Sequence, residues 1–140
     1  MQSGPEDRLA LVRRYYEAYD NNDRSLIESA LHAQFTFSSP NDDDNIDQAS
    51  YFARCWPNHE AIRHFELLDI CADADHALVR YHASTSEGAG FGNVEHFEFR
   101  DELISHVDCY FGPPMPEQTT TNWGANIGID PDGSQVTKAR

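Results

Sequence analysis

The sequence has no long apolar run and little positive charge, and both absences limit what the protein can do. It contains no stretch of about 18 consecutive apolar residues, so we expect no transmembrane helix. The formal net charge is −14, with 24 Asp and Glu against 10 Lys and Arg. Nucleic acid and anionic membrane surfaces repel such a chain. We therefore expect neither a nucleic-acid partner nor a membrane partner.

The chain also lacks the short motifs of several enzyme and metal-site classes. It has no G-x-S-x-G, no P-loop and no dinucleotide fingerprint. Its 7 histidines show no H-E-x-x-H spacing, and its cysteines are not paired as in zinc sites. The acidic segment 41–45, "NDDDN", lacks the glycine and terminal glutamate of a calcium loop and is typical of a solvated loop. We expect no bound metal and no cofactor.

Cysteine is scarce as well. The three cysteines Cys55, Cys71 and Cys109 are odd in number and lie in apolar surroundings, as reduced, packed thiols do. The segment "MQSGPEDRLALVRRYY" lacks a basic region followed by a long apolar one, so we expect no signal peptide. Together these features predict a cytoplasmic protein.

The patterns that are present predict an α+β domain. Residues 5–21 carry apolar side chains at helical spacing after a capping box formed by Ser3 and Glu6. Asp23 or Ser25 can cap a second helix and Asp47 a third, and "FTFSSP" contains a short strand. Four long antiparallel strands follow in "AIRHFELLDICA", "HALVRYHASTS", "FGNVEHFEFR" and "LISHVDCYFG". We expect three N-terminal helices to cover one face of a curved antiparallel sheet.

Two segments of different composition set the domain organisation. Residues 1–112 contain all the predicted helices and strands and are expected to form a single domain. Residues 113–140 are rich in Pro, Gly, Thr and Asn and cannot build a core. We expect them to form a C-terminal tail that is extended or partly disordered.

The last predicted hairpin carries several ionisable groups, which strand alternation divides between two faces. One face is expected to point inward and holds Asn93, Glu95, Phe97, Phe99, Val107, Cys109 and Phe111. The other face is expected to meet solvent or a partner subunit and holds His96, Glu98, His106 and Asp108. A β-bulge would exchange these faces. If buried, the Glu95 carboxyl should have a raised pKa, whereas at a sheet edge its head would reach solvent.

The order of elements, with "VRRYYEAYDNND" early and "VEHFEF…VDCYFG" late, resembles the SnoaL-like branch of the nuclear transport factor two-like superfamily over residues 5–112. That superfamily includes ketosteroid isomerases, polyketide cyclases, limonene epoxide hydrolases and dehydratases. The resemblance implies a cone-shaped sheet (a cystatin-like α+β barrel) that encloses a deep apolar pocket with the three helices. It also implies homodimers that pair through the outer sheet face.

The resemblance to ketosteroid isomerase implies roles for individual residues of this sequence. Tyr15 matches its helix-one tyrosine, and Glu95 matches the acidic oxyanion donor that precedes a His-Phe pair. Ser39, before Pro40, stands where that enzyme has its general base. A serine hydroxyl cannot accept a substrate proton near neutral pH without help, so the base must lie elsewhere. Some SnoaL-like cyclases place a catalytic Asp on the last strand, which keeps Asp108 among the catalytic candidates.

The sequence is also compatible with other roles for these positions and with other bases. His64 and His82 are further candidates for the base if their strand faces allow it. Tyr15 can instead be a packing tyrosine whose hydroxyl meets water or the backbone. We expect the pocket that binds the ligand to be lined by Phe37, Ser39, Phe52, Trp56, Phe97, Cys109 and Phe111.

Three functions are compatible with this sequence. The first is a cofactor-independent isomerase or lyase, of the isomerase, cyclase or dehydratase type, that performs acid-base chemistry on a small apolar carbonyl compound. The second is a binding module that holds an apolar ligand without chemistry. The third is a dimerising protein whose aromatic side chains fill its own pocket. A cavity facing Glu95 distinguishes the first two from the third.

Overall fold

The structure is a computed structural model that describes residues 4–86 and 90–112. Within these residues the chain forms three α-helices, a 3₁₀ helix and six strands. The helices are α1 (Pro5–Asp20), α2 (Arg24–Ala30) and α3 (Gln48–Arg54), and the 3₁₀ helix is Trp56–Glu60. The strands are β1 (Leu31–Ser38), β2 (Ile46–Asp47), β3 (Ile62–Ala72), β4 (His76–Thr85), β5 (Gly90–Arg100) and β6 (Leu103–Gly112). The predicted tail, 113–140, lies outside the described residues.

Local hydrogen bonds explain where the helices begin. Asp23 and Asp47 cap α2 and α3 as predicted, each accepting a backbone N–H three residues later, at 3.1 and 2.8 Å. Gly4 is the N-cap of α1, and its backbone N–H donates to the Asp7 carboxylate at 3.2 Å. Ser3, the first residue of the predicted capping box, lies outside the described residues. None of the helices in the two described ranges is long and apolar enough to span a membrane.

The six strands form one curved, open sheet in the order β2-β1-β6-β5-β4-β3. Neighbouring strands are antiparallel except β1 and β6, which are parallel. This confirms the prediction of a curved, mainly antiparallel sheet with three helices. Among the described residues the sheet does not close into a barrel, because β2 and β3 each pair with a single strand there. Strand β1 starts at Leu31, directly after α2, and is longer than the strand predicted around "FTF".

A bulge in the hairpin of β5 and β6 determines which side chains face inward. The register of the hairpin shifts by one residue between Glu98 and Phe99, where β6 carries an extra residue. The bulge places Cys109 opposite Glu95, whereas a regular hairpin would place Asp108 there. Side chains directly opposite each other share a face of the sheet, so the bulge decides that a thiol and not a second carboxyl accompanies Glu95.

The two faces of the hairpin are those predicted from alternation. The inner face packs under the helices and contains the buried side chains Asn93, Glu95, Phe97, Val107 and Cys109. The core continues across it through residues of α1, α3 and β4, including the fully buried Val12, Tyr51 and Val79. Burial of these side chains is the main favourable contribution to folding. The helices and the inner face meet around a space that they do not fill.

Candidate active site

That space is a cavity of about 610 Å³, within the usual range for a small-molecule site. Its polar wall includes Glu95, Asn93, Ser39 and Asp42. Five tyrosines also reach it, and these are Tyr15, Tyr16, Tyr19, Tyr51 and Tyr81. Much of the remaining wall is apolar, with Phe37, Ile62, Phe65, Phe91 and Phe111. The aromatic side chains therefore do not fill the interior, which argues against a dimerising protein whose pocket is filled by its own side chains.

Glu95 is the most deeply buried carboxyl group in this wall. Its side chain is on the inner face of β5, the residue is 5% exposed, and Tyr16 Oη donates a hydrogen bond of 2.6 Å to its Oε1. Burial raises the pKa of Glu95 from 4.5 to about 7, because the charged form loses its hydration. Hydrogen bonds from Tyr16 and Cys109 oppose this rise. Glu95 can therefore give or take a proton near neutral pH.

Three further tyrosines form a connected group beside this pair. Tyr51 Oη lies 2.7 Å from Tyr15 Oη and is also hydrogen-bonded to Tyr19 Oη. Burial raises the pKa of all three phenols, so they stay neutral and able to donate hydrogen bonds. Tyr15, predicted as the second donor, lines the cavity but bonds to Tyr51, while the partner of Glu95 is the neighbouring Tyr16.

Replacing Tyr16 by Phe is expected to raise the pKa of Glu95 further. The Tyr16 hydroxyl stabilises the charged carboxylate, and a hydrogen bond to a charged group contributes roughly 1.5–3 kcal/mol, or about one pH unit or more. Titration of the ¹³C-labelled glutamate carboxyl carbons by NMR measures this midpoint. Tyr15→Phe is the matched control, because it removes a buried hydroxyl that makes no hydrogen bond to Glu95. Equal midpoints in the two variants would contradict the assignment.

A second carboxyl group reaches the cavity from the loop after β1. Ser39 Oγ donates to Asp42 Oδ2 at 2.8 Å, and the Asp42 backbone N–H returns a hydrogen bond to Ser39 O at 3.2 Å. Arg54 Nη1 lies 3.5 Å from Asp42 Oδ1, and the Asp42 side chain is 13% exposed. The expected solvated loop is thus folded back against the protein at this residue. Asp42 therefore lies beside Ser39, the residue that the resemblance to ketosteroid isomerase matches to the general base.

The other candidates for the base lie outside the cavity. Asp108 is on the outer face of β6, and its Oδ1 lies 2.9 Å from His106 Nε2. His64 is exposed and its Nδ1 lies 2.8 Å from Asp20 Oδ2. His82 alternates with the inward-facing Tyr81 and so points to the outer face. Asp108, although proposed as catalytic, is therefore separated from the cavity by the sheet itself.

The predicted ligand-binding residues divide into two groups. Phe37, Ser39, Cys109 and Phe111 line the cavity together with Tyr15 and Glu95. Phe52, Trp56 and Phe97 do not line it, and each packs against other side chains of the protein. Phe97 packs edge-on against Tyr15 with centroids 5.3 Å apart, and Trp56 packs on Tyr19 at 4.8 Å. Phe52 lies under the Arg24 guanidinium at 4.3 Å.

The sequence matches the family model of the SnoaL-like domain over residues 12–107. The chain belongs to this family. This match confirms the resemblance noted in the sequence. No curated protein matches this SnoaL-like chain in sequence.

Several solved structures share the fold of this chain. A Kribbella flavida protein provisionally named a ketosteroid isomerase has a TM-score of 0.67 at 18% identity, over 81% of this chain and 86% of its own. An LEH-like epoxide hydrolase from M. tuberculosis has a TM-score of 0.64 at 18% identity, over 77% and 84%. A Sinorhizobium meliloti protein provisionally named a polyketide cyclase has a TM-score of 0.60 at 20% identity, over 71% and 93%. At these identities the likeness shows the fold of the SnoaL-like domain alone.

Proposed function

We propose that this SnoaL-like protein is a cofactor-independent acid-base enzyme, of the isomerase, cyclase or dehydratase type, acting on a small and largely apolar carbonyl compound. The observation that carries the proposal is the Glu95 carboxyl, buried beside the cavity with a pKa of about 7 and hydrogen-bonded to Tyr16. Asp42 supplies a second carboxyl in a different environment at the same cavity. Two carboxyl groups in contrasting surroundings are the usual basis for dividing acid and base roles.

The chemistry that these groups support is proton transfer next to a carbonyl. Protonated Glu95 donates a hydrogen bond or its proton to the carbonyl oxygen, which stabilises negative charge on that oxygen. The Asp42 carboxylate removes a proton from the neighbouring carbon, and an enol forms. In a β,γ-unsaturated ketone the enol is a dienol, which takes the proton back from Asp42 at the γ carbon and returns its O–H proton to Glu95, completing an isomerisation. In a β-hydroxy ketone the enol returns its O–H proton to Glu95 while the β-hydroxyl leaves as water with the proton held by Asp42. Ser39 orients the base through its hydrogen bond to Asp42.

The wall of the cavity indicates the shape of the substrate. Asn93 Nδ2 donates to Tyr81 Oη at 2.9 Å, so these polar groups of the wall satisfy each other. Phe65, Phe91 and Phe111 provide apolar surface around the remaining space. A compound with one carbonyl at Glu95 and an apolar body therefore fits better than a sugar or a charged metabolite.

The Asp42→Asn variant is expected to lose at least ~100-fold in proton abstraction, the lower range for a general base. Hydrogen-deuterium exchange at carbons next to the carbonyl reports this step without knowledge of the natural substrate. Apolar cyclic ketones are incubated with the enzyme in D₂O, and loss of the proton signal is followed by NMR. Glu95→Gln should also slow the exchange.

Asp44→Asn is the matched control, since Asp44 belongs to the same acidic loop and does not line the cavity. It should exchange like the unmodified protein. The proposal fails if the unmodified protein does not accelerate exchange with any ketone, or if the variants at 42 and 44 behave alike.

A non-catalytic binding module is the second candidate, and the contacts of Asp42 favour it. The Arg54 guanidinium faces Asp42 Oδ1 at 3.5 Å and Ser39 Oγ donates to Asp42 Oδ2, so both carboxylate oxygens already have partners within the protein. In that case Tyr15, Ser39 and Glu95 orient an apolar ligand that leaves unchanged. Ligands that raise the melting temperature but show no deuterium exchange would favour this function.

The outer face of the sheet supports a proposal about assembly. Leu78, Val94 and Tyr110 are exposed by 46, 37 and 52% on three neighbouring strands. An apolar patch of this kind commonly marks an interaction surface. We propose that two copies of the chain pair through it, and we keep the cytoplasm as the expected compartment.

A further inference from the structure

On the outer face, β5 and β6 bring four ionisable side chains into a compact square. The register places His96 opposite Asp108 and Glu98 opposite His106. Residues two apart on one strand share a face, and directly opposite residues have Cβ atoms about 4.5–5.5 Å apart. The square is therefore built on two paired strands of the sheet, on the side away from the cavity. None of the four has a role in the proposed chemistry.

Three members of the square present possible metal ligands close together. One ligand atom each from His96, Glu98 and Asp108 lie within 4.8 Å of one another. His96 Nδ1 is 3.9 Å from Asp108 Oδ2. Ligand atoms of a tetrahedral zinc site, with bonds of about 2.0–2.2 Å, are roughly 3.4 Å apart. Small side-chain rotations would therefore bring these atoms onto a common ion.

A chain of hydrogen bonds through His106 and Thr36 orients the Asp108 carboxylate. His106 Nε2 lies 2.9 Å from Asp108 Oδ1, and His106 Nδ1 lies 2.7 Å from Thr36 Oγ1 on β1. With its proton on Nε2, His106 donates to Asp108 and accepts from Thr36. Such a second layer of hydrogen bonds orients metal-binding carboxylates and raises their affinity. The His76 ring is centred 5.4 Å from the His96 ring and limits the space beside His96.

We propose that His96, Glu98 and Asp108 form a binding site for a divalent first-row transition metal of the zinc type. One imidazole nitrogen and two carboxylate oxygens supply three ligands, and water completes the coordination. The imidazole favours such ions over Mg²⁺ and Ca²⁺. Two carboxylates in a chain of net charge −14 attract a cation. Motif spacing predicted no metal, but ligands that meet across a hairpin have no fixed spacing in sequence.

The test is a Zn²⁺ titration of untagged, chelator-treated full-length protein in competition with a chromophoric indicator. We expect one tight Zn²⁺ per chain, with Mg²⁺ and Ca²⁺ failing to compete. His96→Ala and Asp108→Asn should each weaken binding at least ~100-fold, and His106→Ala by about 10- to 100-fold through the orientation of Asp108. His82→Ala is the matched control, because it removes an imidazole from the same face on the next strand.

Substitution with Co²⁺ gives a second readout, since visible absorption reports the ligand set directly. The band should appear in the unmodified protein and in His82→Ala and be lost in His96→Ala. Glu95→Gln should keep full Zn²⁺ affinity, so failure of the proposed enzyme function and failure of this site are separate results. Equal Zn²⁺ affinity in the unmodified protein and His96→Ala, or one Zn²⁺ per two chains, would overturn the proposal.

Discussion

We expect the Glu95→Gln variant to gain stability relative to the unmodified protein as pH rises. The difference in free energy of unfolding between the two proteins should change by about 3 kcal/mol, in favour of the variant, from acidic to alkaline pH. The folded-state pKa of Glu95 is about 7 and the ordinary value is 4.5. A raised folded-state pKa means that the stabilising effect of the proton is complete below pH 4.5 and is lost as pH rises through about 7. One pKa unit corresponds to about 1.4 kcal/mol, which gives the stated difference. Gln does not titrate, so the variant does not lose this stability as pH rises.

Urea unfolding of both proteins, repeated from pH 4.5 to about 8.5, measures the difference in free energy of unfolding. Comparing the two proteins at each pH cancels the contribution of the other carboxyl groups. Glu98→Gln is the matched control, because it makes the same chemical change on the outer face of the same strand. A free-energy difference between Glu95→Gln and the unmodified protein that is constant with pH would refute the raised pKa.

Phe97→Ala is expected to lower the free energy of unfolding by about 3–5 kcal/mol, the usual cost of removing a fully buried phenyl ring. Phe97 has no exposed surface, and its ring contacts those of Tyr15 and Tyr16 edge-on, with centroids 5.3 and 6.0 Å away. Removing the ring leaves an unfilled cavity next to Tyr15 and Tyr16, which line the pocket. Urea unfolding at one pH measures the effect.

Phe111→Ala is the matched control for that substitution. Phe111 is on the same face of the sheet but borders the cavity and is only partly buried. Its removal enlarges an existing space, so the loss of stability should be smaller while the affinity for apolar ligands changes. Equal losses in the two variants would show that Phe97 is not more closely packed than Phe111.

Alternation of side chains along β5 and β6 was sufficient to predict the faces of the hairpin. The pattern of residues 106–111, with apolar side chains at every second position, correctly placed Asp108 outside and Cys109 inside. It succeeded despite the bulge because the extra residue precedes this segment. The position of Glu95 on the inner face followed in the same way, since strand periodicity is strict.

Other parts of the site could not be predicted from the sequence. Tyr15 and Tyr16 both belong to a wide apolar arc of α1, and helix periodicity cannot decide which hydroxyl reaches a strand 79 residues later. The sequence could not separate Asp42 from the two acids that follow it, because its ion-pair partner Arg54 belongs to α3 and meets it only in the folded chain. The start of β1 at Leu31 was missed because its parallel partner, β6, is distant in sequence.

The pKa of Glu95, measured in the unmodified protein, tests most directly whether this carboxyl can act as an acid near neutral pH. The carboxyl carbon of Glu95, assigned in ¹³C NMR spectra by its absence in Glu95→Gln, is followed through a pH titration. We expect a midpoint of about 7, well above the ordinary 4.5. A midpoint at or below the ordinary value would show that Glu95 is a solvated carboxylate and would contradict its role as the acid of this site.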